Sequence, residues 1–153
     1  MPNGVALEQV RVPFGVVGAI YEARPNVTVD IAALALRSGN SVVLRGGSAA
    51  RESNTVLVEI MRGALQAAGV TPEAVQTVDD FGRDGATALM HGRGFIDVLV
   101  PRGSAGLIET VVTEATVPVI ETGAGNVHIV LDESAPDAVS YTHLRAHETP
   151  EHL

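Results

Sequence analysis

The stretch GVVGAIYEARPNVTVDIAALALRSGNSVVLRGGS, residues 15–48, decides the fold of this chain. Two short apolar runs, at 16–21 and 41–44, carry no aspartate, glutamate or lysine, which is typical of buried strands. Between them an i, i+3, i+4, i+7 spacing predicts a helix with one buried stripe, formed by Val29, Ala32, Ala33 and Leu36. Two buried strands joined by a helix run parallel, because a hairpin needs no such crossover.

The same alternation continues along the chain. Asn26 is expected to be the N-cap of the first helix, at 27–38. Further helices are predicted at about 53–68, near 85–91, after the turn at 101–106 and from 135 onward; further strands are predicted at 10–12, 75–78, 95–100, 117–120 and 127–131. This order predicts an α/β protein with an open, doubly wound parallel sheet.

Composition narrows the possible functions. The chain has 153 residues, a formal net charge of −8 and no cysteine, and its ten basic residues are all arginine. The negative charge disfavours nucleic acid as a partner, and the lack of lysine and cysteine excludes Schiff-base and thiol chemistry within this sequence. The sequence contains neither a membrane-length apolar run nor a secretory leader pattern, so we expect no membrane association and a cytoplasmic location.

Two glycine-containing loops follow predicted strands and are candidate ligand sites. Arg45, Gly46, Gly47 and Ser48 follow the second strand, and Gly103 and Ser104 follow the strand predicted at 95–100. Ligands of such sheets bind beyond the carboxyl ends of the strands, and free N–H groups at a helix start favour anions. Each loop also fits a plain turn or helix cap, so spacing alone leaves both interpretations open.

Two other polar residues, Asn26 and Glu121, each have two interpretations. Asn26 is either a helix cap or an amide donor to a developing oxyanion. Glu121, in a glycine-rich turn, is either an exposed loop carboxylate or a general base. His128 lies in an apolar run, where a lone histidine is usually structural. Of the other histidines, those at 143 and 147 are spaced i, i+4 but lack an acidic partner at a ligand spacing, so we predict no metal site.

Four motifs carry a resemblance to a known family. They are RVPFGVVGAIYEARPNVTVD at 11–30, LRSGNSVVLRGGS at 36–48, DVLVPRGSAGL at 97–107 and PVIETGAGNVHIVLDESA at 118–135. Together they resemble the gamma-glutamyl phosphate reductase (glutamate-5-semialdehyde dehydrogenase) branch of the aldehyde dehydrogenase superfamily. The resemblance implies a Rossmann-like cofactor domain and the NADPH-dependent reduction of L-glutamyl 5-phosphate to glutamate 5-semialdehyde in proline biosynthesis, by way of a cysteine thioester.

The resemblance also implies roles for individual residues. Asn26 matches the asparagine expected to support the oxyanion, and Glu121 matches a glutamate that activates the nucleophile. The loop at 45–48 matches the one along the adenosine end of NADP(H). Gly103 and Ser104 match the loop near the cofactor diphosphate.

This chain departs from the family pattern in three ways. The nucleophilic cysteine and the second, catalytic domain of the homo-oligomeric family members have no counterpart here, and the start looks truncated. We therefore expect residues 1–139 to be a partial, incomplete NADP-binding domain that is inactive alone, and residues 140–153 to be a non-family tail resembling translated adapter read-through. Two alternatives are a stand-alone nucleotide-binding module and another member of the superfamily.

Overall fold

A computed structural model describes residues 4, 6–22, 24–121 and 134 of the protein. Residues 1–123 form one compact unit, and of the second unit, 124–153, only Ser134 is described. The elements are β1 (Val16–Tyr21), α1 (Pro25–Arg37), β2 (Ser41–Arg45), α2 (Arg51–Ala67), β3 (Val75–Thr77), α3 (Gly82–Met90), β4 (Val98–Arg102) and α4 (Ala105–Glu114). Among these helices none is both long enough and apolar enough to cross a bilayer.

The four strands form one parallel sheet in the order β3-β2-β1-β4. Strand β1 lies between β2 and β4, with Ile20 opposite Arg45 on one side and Tyr21 opposite Arg102 on the other. The chain steps outward from β1 to β3 and then returns to the other side of β1. The predicted parallel α/β sheet is therefore confirmed.

Helices cover both faces of the sheet. On one face, β1 residues such as Val17 and Ala19 pack with α1 and α2 residues such as Ala32 and Val58. On the opposite face, Ile20, Leu99 and Val111 belong to a second apolar cluster, to which α3 also contributes. Successive side chains of a strand point to opposite faces, so β1 supplies both clusters. The sheet is doubly wound, as the sequence predicted.

Helix α1 differs from its predicted form at its start and on its buried face. Pro25 is the first helical residue, where its missing N–H costs no hydrogen bond, and Arg24 occupies the cap position without a capping bond from its side chain. The prediction of Asn26 as N-cap is therefore wrong. The predicted buried stripe is also shifted, because Thr28 is buried whereas Val29 is 39% exposed and Ala33 is exposed too. The predicted stripe counted apolar residues alone and therefore missed Thr28, whose hydroxyl forms hydrogen bonds inside the protein.

Three predicted strands differ from the observed ones. The predicted strand at 117–120 is reduced to a single bridge between Leu99 and Val119, since the proline at 118 has no N–H to continue a ladder. Residues 10–12 form no strand, and β4 begins at Val98, after the exposed side chain of Phe95. The strand predicted at 127–131 and the helix predicted from 135 lie outside the described residues.

Two glycine substitutions test how tightly the sheet is packed. A Cβ on Gly18 of β1 would lie 2.6 Å from Leu99 Cδ2 and 3.1 Å from Ile96 Cγ2, whereas one on Gly63 of α2 would meet nothing within 4 Å. We expect Gly18→Ala to lower the free energy of unfolding by about 1–3 kcal/mol through overpacking. The control Gly63→Ala should raise it by about 0.5–1 kcal/mol, because alanine is the better helix former. Urea unfolding of both variants measures this; a neutral Gly18→Ala would contradict the packing described.

Candidate functional site

The carboxyl ends of β1, β2 and β4 lie at one edge of the sheet. The register places Arg45, the last residue of β2, beside Ile20, and Arg102, the last residue of β4, beside Tyr21. The loops that follow β2 and β4 therefore lie on either side of the end of β1. The chain reverses its direction across the sheet at this strand, and such a switch point is where ligands of open α/β sheets bind.

A cleft of about 560 Å³ lies next to this edge, between α3 and α4. Arg45 reaches it from β2, and its Nε donates a hydrogen bond to the carbonyl oxygen of Gly82 at 3.3 Å. The residues that line the cleft are Ile20 and Arg45 from the sheet, Arg83, Ala86, Thr87 and Met90 from α3, and Leu107, Thr110, Val111 and Glu114 from α4.

The lining combines apolar walls with two arginines, two threonines and one glutamate. The apolar lining residues of the two helices are Ala86 and Met90 on α3 and Leu107 and Val111 on α4, and they suit a flat, weakly polar ring. The second arginine, Arg83, makes no ion pair with any residue of the described part. A cleft of this kind can bind an aromatic base together with a phosphate, because arginine guanidinium groups pair well with phosphate oxygens.

The first residue of the loop after β2, Gly46, is fixed by a hydrogen bond within the protein. Gly46 is buried, and its N–H donates a 2.6 Å hydrogen bond to Asp79 Oδ1. Gly47 precedes a short 3-10 turn, and Ser48, the first residue of that turn, is exposed. Of the four predicted residues in this loop, Arg45 alone lines the cleft.

The loop after β4 contacts the end of β1 through Glu22. Oε1 of Glu22 accepts hydrogen bonds from the Ser104 N–H at 3.0 Å and from the Ser104 hydroxyl at 2.6 Å. Gly103 leaves room for this side chain, since a Cβ there would lie 2.7 Å from Glu22 Cδ. These two hydrogen bonds from Ser104 lower the pKa of the Glu22 carboxyl. Ser104 of the predicted anion site thus already binds a carboxylate of the same chain.

The other two predicted residues do not line the cleft. Asn26 is exposed in the first turn of α1, and Glu121 is exposed at the end of the continuous described segment. Within the described ranges no three histidine, aspartate or glutamate side chains are grouped so that they would hold a metal ion.

Sequence reasoning missed several polar residues of this region, namely Glu22, Asp79, Arg83, Thr87 and Thr110. Arg83 and Thr87 are spaced i, i+4 and Thr110 and Glu114 likewise, so each pair shares a helix face. That spacing was available in the sequence, but it does not reveal that the two faces line the same cleft. Nothing in the sequence distinguishes Glu22 or Asp79 from a surface acid.

Comparison with known proteins defines the class. Residues 2–146 match the model of the aldehyde dehydrogenase family. The chain therefore belongs to the aldehyde dehydrogenase family.

Individual relatives show which members of the family the chain is similar to. A gamma-glutamyl phosphate reductase of Leifsonia xyli is 73% identical over 135 residues, which are 88% of this chain and 32% of that protein. The crystal structure of the gamma-glutamyl phosphate reductase of Thermotoga maritima is similar with a TM-score of 0.73 and 45% identity, over 76% of this chain and 28% of the other. An engineered glycolyl-CoA reductase with bound NADP⁺ has a TM-score of 0.65 and 31% identity, over 75% of this chain and 26% of its own. The chain spans about a third of the length of the curated relatives it matches.

The Glu22–Ser104 contact makes stability depend on pH. Because the folded-state pKa of Glu22 is lowered, its contribution is present at neutral pH and is lost as the pH falls below the usual glutamate range through the lowered value. We expect Glu22→Gln to weaken this acid-side loss, since the glutamine amide does not titrate. Melting temperatures recorded from pH 7 to pH 3 test this. Asp30→Asn, on the exposed side of α1, is the control; equal slopes for wild type and Glu22→Gln would contradict the assignment.

Proposed function

We propose that this chain is the NADP(H)-binding portion of a cytoplasmic reductase that converts L-glutamyl 5-phosphate to glutamate 5-semialdehyde in proline biosynthesis. The observation that carries the proposal is the cleft between α3 and α4, with its apolar walls and two arginines. The names of the two gamma-glutamyl phosphate reductases support the substrate, and the neighbour with bound NADP⁺ supports the cofactor class. Within this proposal residues 1–139 are part of the cofactor-binding domain.

The residues of the cleft fit the adenosine end of a nicotinamide cofactor. The apolar side chains of α3 and α4 would cover the two faces of the adenine ring. Arg45, at the end of β2, would pair with the 2′-phosphate, which distinguishes NADP(H) from NAD(H), and Arg83 is the second cation within the same cleft. Gly46, Gly47 and Ser48 would follow the ribose beside Arg45.

The remaining predicted residues belong, in this proposal, to the other end of the cofactor and to the substrate. Gly103 and Ser104 would lie near the diphosphate. Asn26 would donate its side-chain amide to the oxyanion of the substrate, and Glu121 would activate the nucleophile or a water molecule.

When bound, the cofactor supplies the hydride for the reduction. The chain contains no cysteine and so has no thiol for an acyl intermediate. We therefore propose that it binds the cofactor but does not turn over substrate alone, and that the longer homo-oligomeric enzyme supplies the nucleophile.

Replacing Arg45 tests the cofactor assignment. We expect Arg45→Ala to weaken NADPH binding by about 1–3 kcal/mol, because a charge-assisted hydrogen bond to phosphate is lost. NADH binding should change far less, since NADH has no 2′-phosphate. Titration of the purified chain with each dinucleotide, followed by nicotinamide fluorescence, measures both affinities. The control is Arg37→Ala, which removes the same charge from the last turn of α1, on the opposite face of the sheet.

Small ligands locate the binding determinant. Adenosine 2′,5′-bisphosphate should compete with NADPH more strongly than adenosine 5′-monophosphate does, and Arg45→Ala and Arg83→Ala should each reduce that difference. The proposal fails if the chain shows no saturable binding of either dinucleotide below millimolar concentration. The assignment of Arg45 fails if Arg45→Ala and Arg37→Ala bind NADPH equally well.

A further inference from the structure

We infer that Asp79 is a positioning residue for cofactor binding, because its carboxylate fixes the Gly46 amide and with it the end of β2, from which Arg45 reaches the cleft. The inference rests on the proposed function, since it concerns the same cleft. Asp79 itself does not line the cleft. It lies in the 3-10 turn at 79–81, between β3 and α3, and it is 7% exposed.

The Asp79 carboxylate accepts hydrogen bonds from two sides. Oδ1 accepts the N–H of Gly46 at 2.6 Å, and Oδ2 accepts Nδ2 of Asn54, on the first turn of α2, at 3.1 Å. The backbone of Asp79 is fixed as well: its N–H donates to the Thr77 hydroxyl, which in turn donates to the carbonyl oxygen of Leu44. Asp79 therefore connects β2, β3 and α2 immediately behind Arg45.

A chain of hydrogen bonds extends from Asn54 through Thr28 to Tyr21 at the end of β1, and all its donors point the same way. Thr28 Oγ1 donates to Asn54 Oδ1 at 2.9 Å, so its single proton is used and the Tyr21 hydroxyl, at 2.7 Å, is the donor to Thr28. Burial raises the pKa of Tyr21 to about 12, so the phenol keeps its proton at neutral pH. The donors from Tyr21 to Asn54 all point towards the Asp79 carboxylate.

Gly46 has no space to adopt another arrangement. A Cβ at this position would lie 2.1 Å from Asn54 Nδ2 and 3.1 Å from Tyr21 Cε2. The φ angle of Gly46 lies outside the left-handed region, so space and not backbone conformation requires a glycine here. The backbone of Gly46 is thus packed directly against the amide that Asp79 orients. Because Arg45 precedes Gly46, the direction in which Arg45 leaves β2 depends on this contact.

A swap of the two side chains separates hydrogen-bond polarity from packing. In Asp79→Asn the new amide group faces the Asn54 amide or the Gly46 N–H, so two donors meet. The double variant Asn54→Asp/Asp79→Asn restores the pattern. The introduced amide at position 79 can accept from Gly46 through its oxygen and donate through its nitrogen to the new carboxylate at position 54, and that carboxylate can still accept from Thr28. Volume and net charge of the pair stay the same.

The decisive quantity is the ratio of NADPH affinity to NADH affinity, measured at a temperature at which each variant is fully folded. We expect Asp79→Asn to lower this ratio tenfold or more, and the double variant to recover it to within about threefold of wild type. Thr28→Val is the matched control: it breaks the buried chain of hydrogen bonds and lowers the melting temperature, but it leaves the bond between Asp79 and Gly46 intact. Its ratio should stay at the wild-type value.

Three outcomes would overturn the inference. The first is an Asp79→Asn variant that melts earlier but keeps the wild-type ratio. The second is a Thr28→Val variant whose ratio falls as far as that of Asp79→Asn, which would make the effect one of stability alone. The third is amide hydrogen exchange at Gly46 that is no faster in Asp79→Asn than in wild type. The third measurement needs no cofactor, so it tests whether Asp79 fixes the Gly46 amide even if the wild-type chain binds neither dinucleotide and the proposed function fails.

Discussion

Strand β1 pairs on both sides, with β2 and with β4, and the rest of the described structure depends on that double pairing. A strand in this position has its backbone groups satisfied in the sheet and both its faces covered, so it tolerates polar side chains at its ends alone. Gly18 has no room for a Cβ, and Ala19 is fully buried. Polar groups therefore lie at the carboxyl edge of the sheet. There the Tyr21 hydroxyl and the Glu22 carboxylate form two separate sets of hydrogen bonds.

The sequence predicted the sheet well because its central strands are marked by uninterrupted apolar runs. Strand β1 has the predicted bounds to the residue, and the parallel, doubly wound arrangement follows from strand–helix alternation. Prediction was poorer where a polar residue is buried or a helix begins without a capping side chain. Thr28 occupies the core face of α1 because Tyr21 and Asn54 satisfy its hydroxyl. Asn54 lies 26 residues from Thr28 in the sequence, so no local pattern reveals their hydrogen bond. The apolar periodicity therefore placed the buried face of α1 one residue too far along the chain.

The candidate site, too, could be predicted from the sequence only in part. Arg45 was identified from its position after a strand, and it does line a cleft. Most of the cleft lining comes from α3 and α4, whose relative placement depends on tertiary packing and not on motif spacing. Two loop glycines have more than one physical explanation. Gly46 and Gly103 suggested close approach of a ligand, yet each is also required by a side chain of the protein, Asn54 in one case and Glu22 in the other. A glycine in a loop beside a strand thus has two physical explanations, and only the three-dimensional arrangement reveals the internal one.

The Glu22 carboxylate at the start of α4 has a consequence for how an anionic ligand would approach. The positive end of a helix attracts anions, but here a negative side chain already compensates it. The chain as a whole carries a formal charge of −8, so its distant field repels a phosphate. At the cleft, Arg45 and Arg83 supply positive charge that acts over a few ångströms. Capture of a dinucleotide at this cleft would be short-ranged, because the two arginines attract a phosphate nearby whereas the net charge of the chain opposes it at a distance.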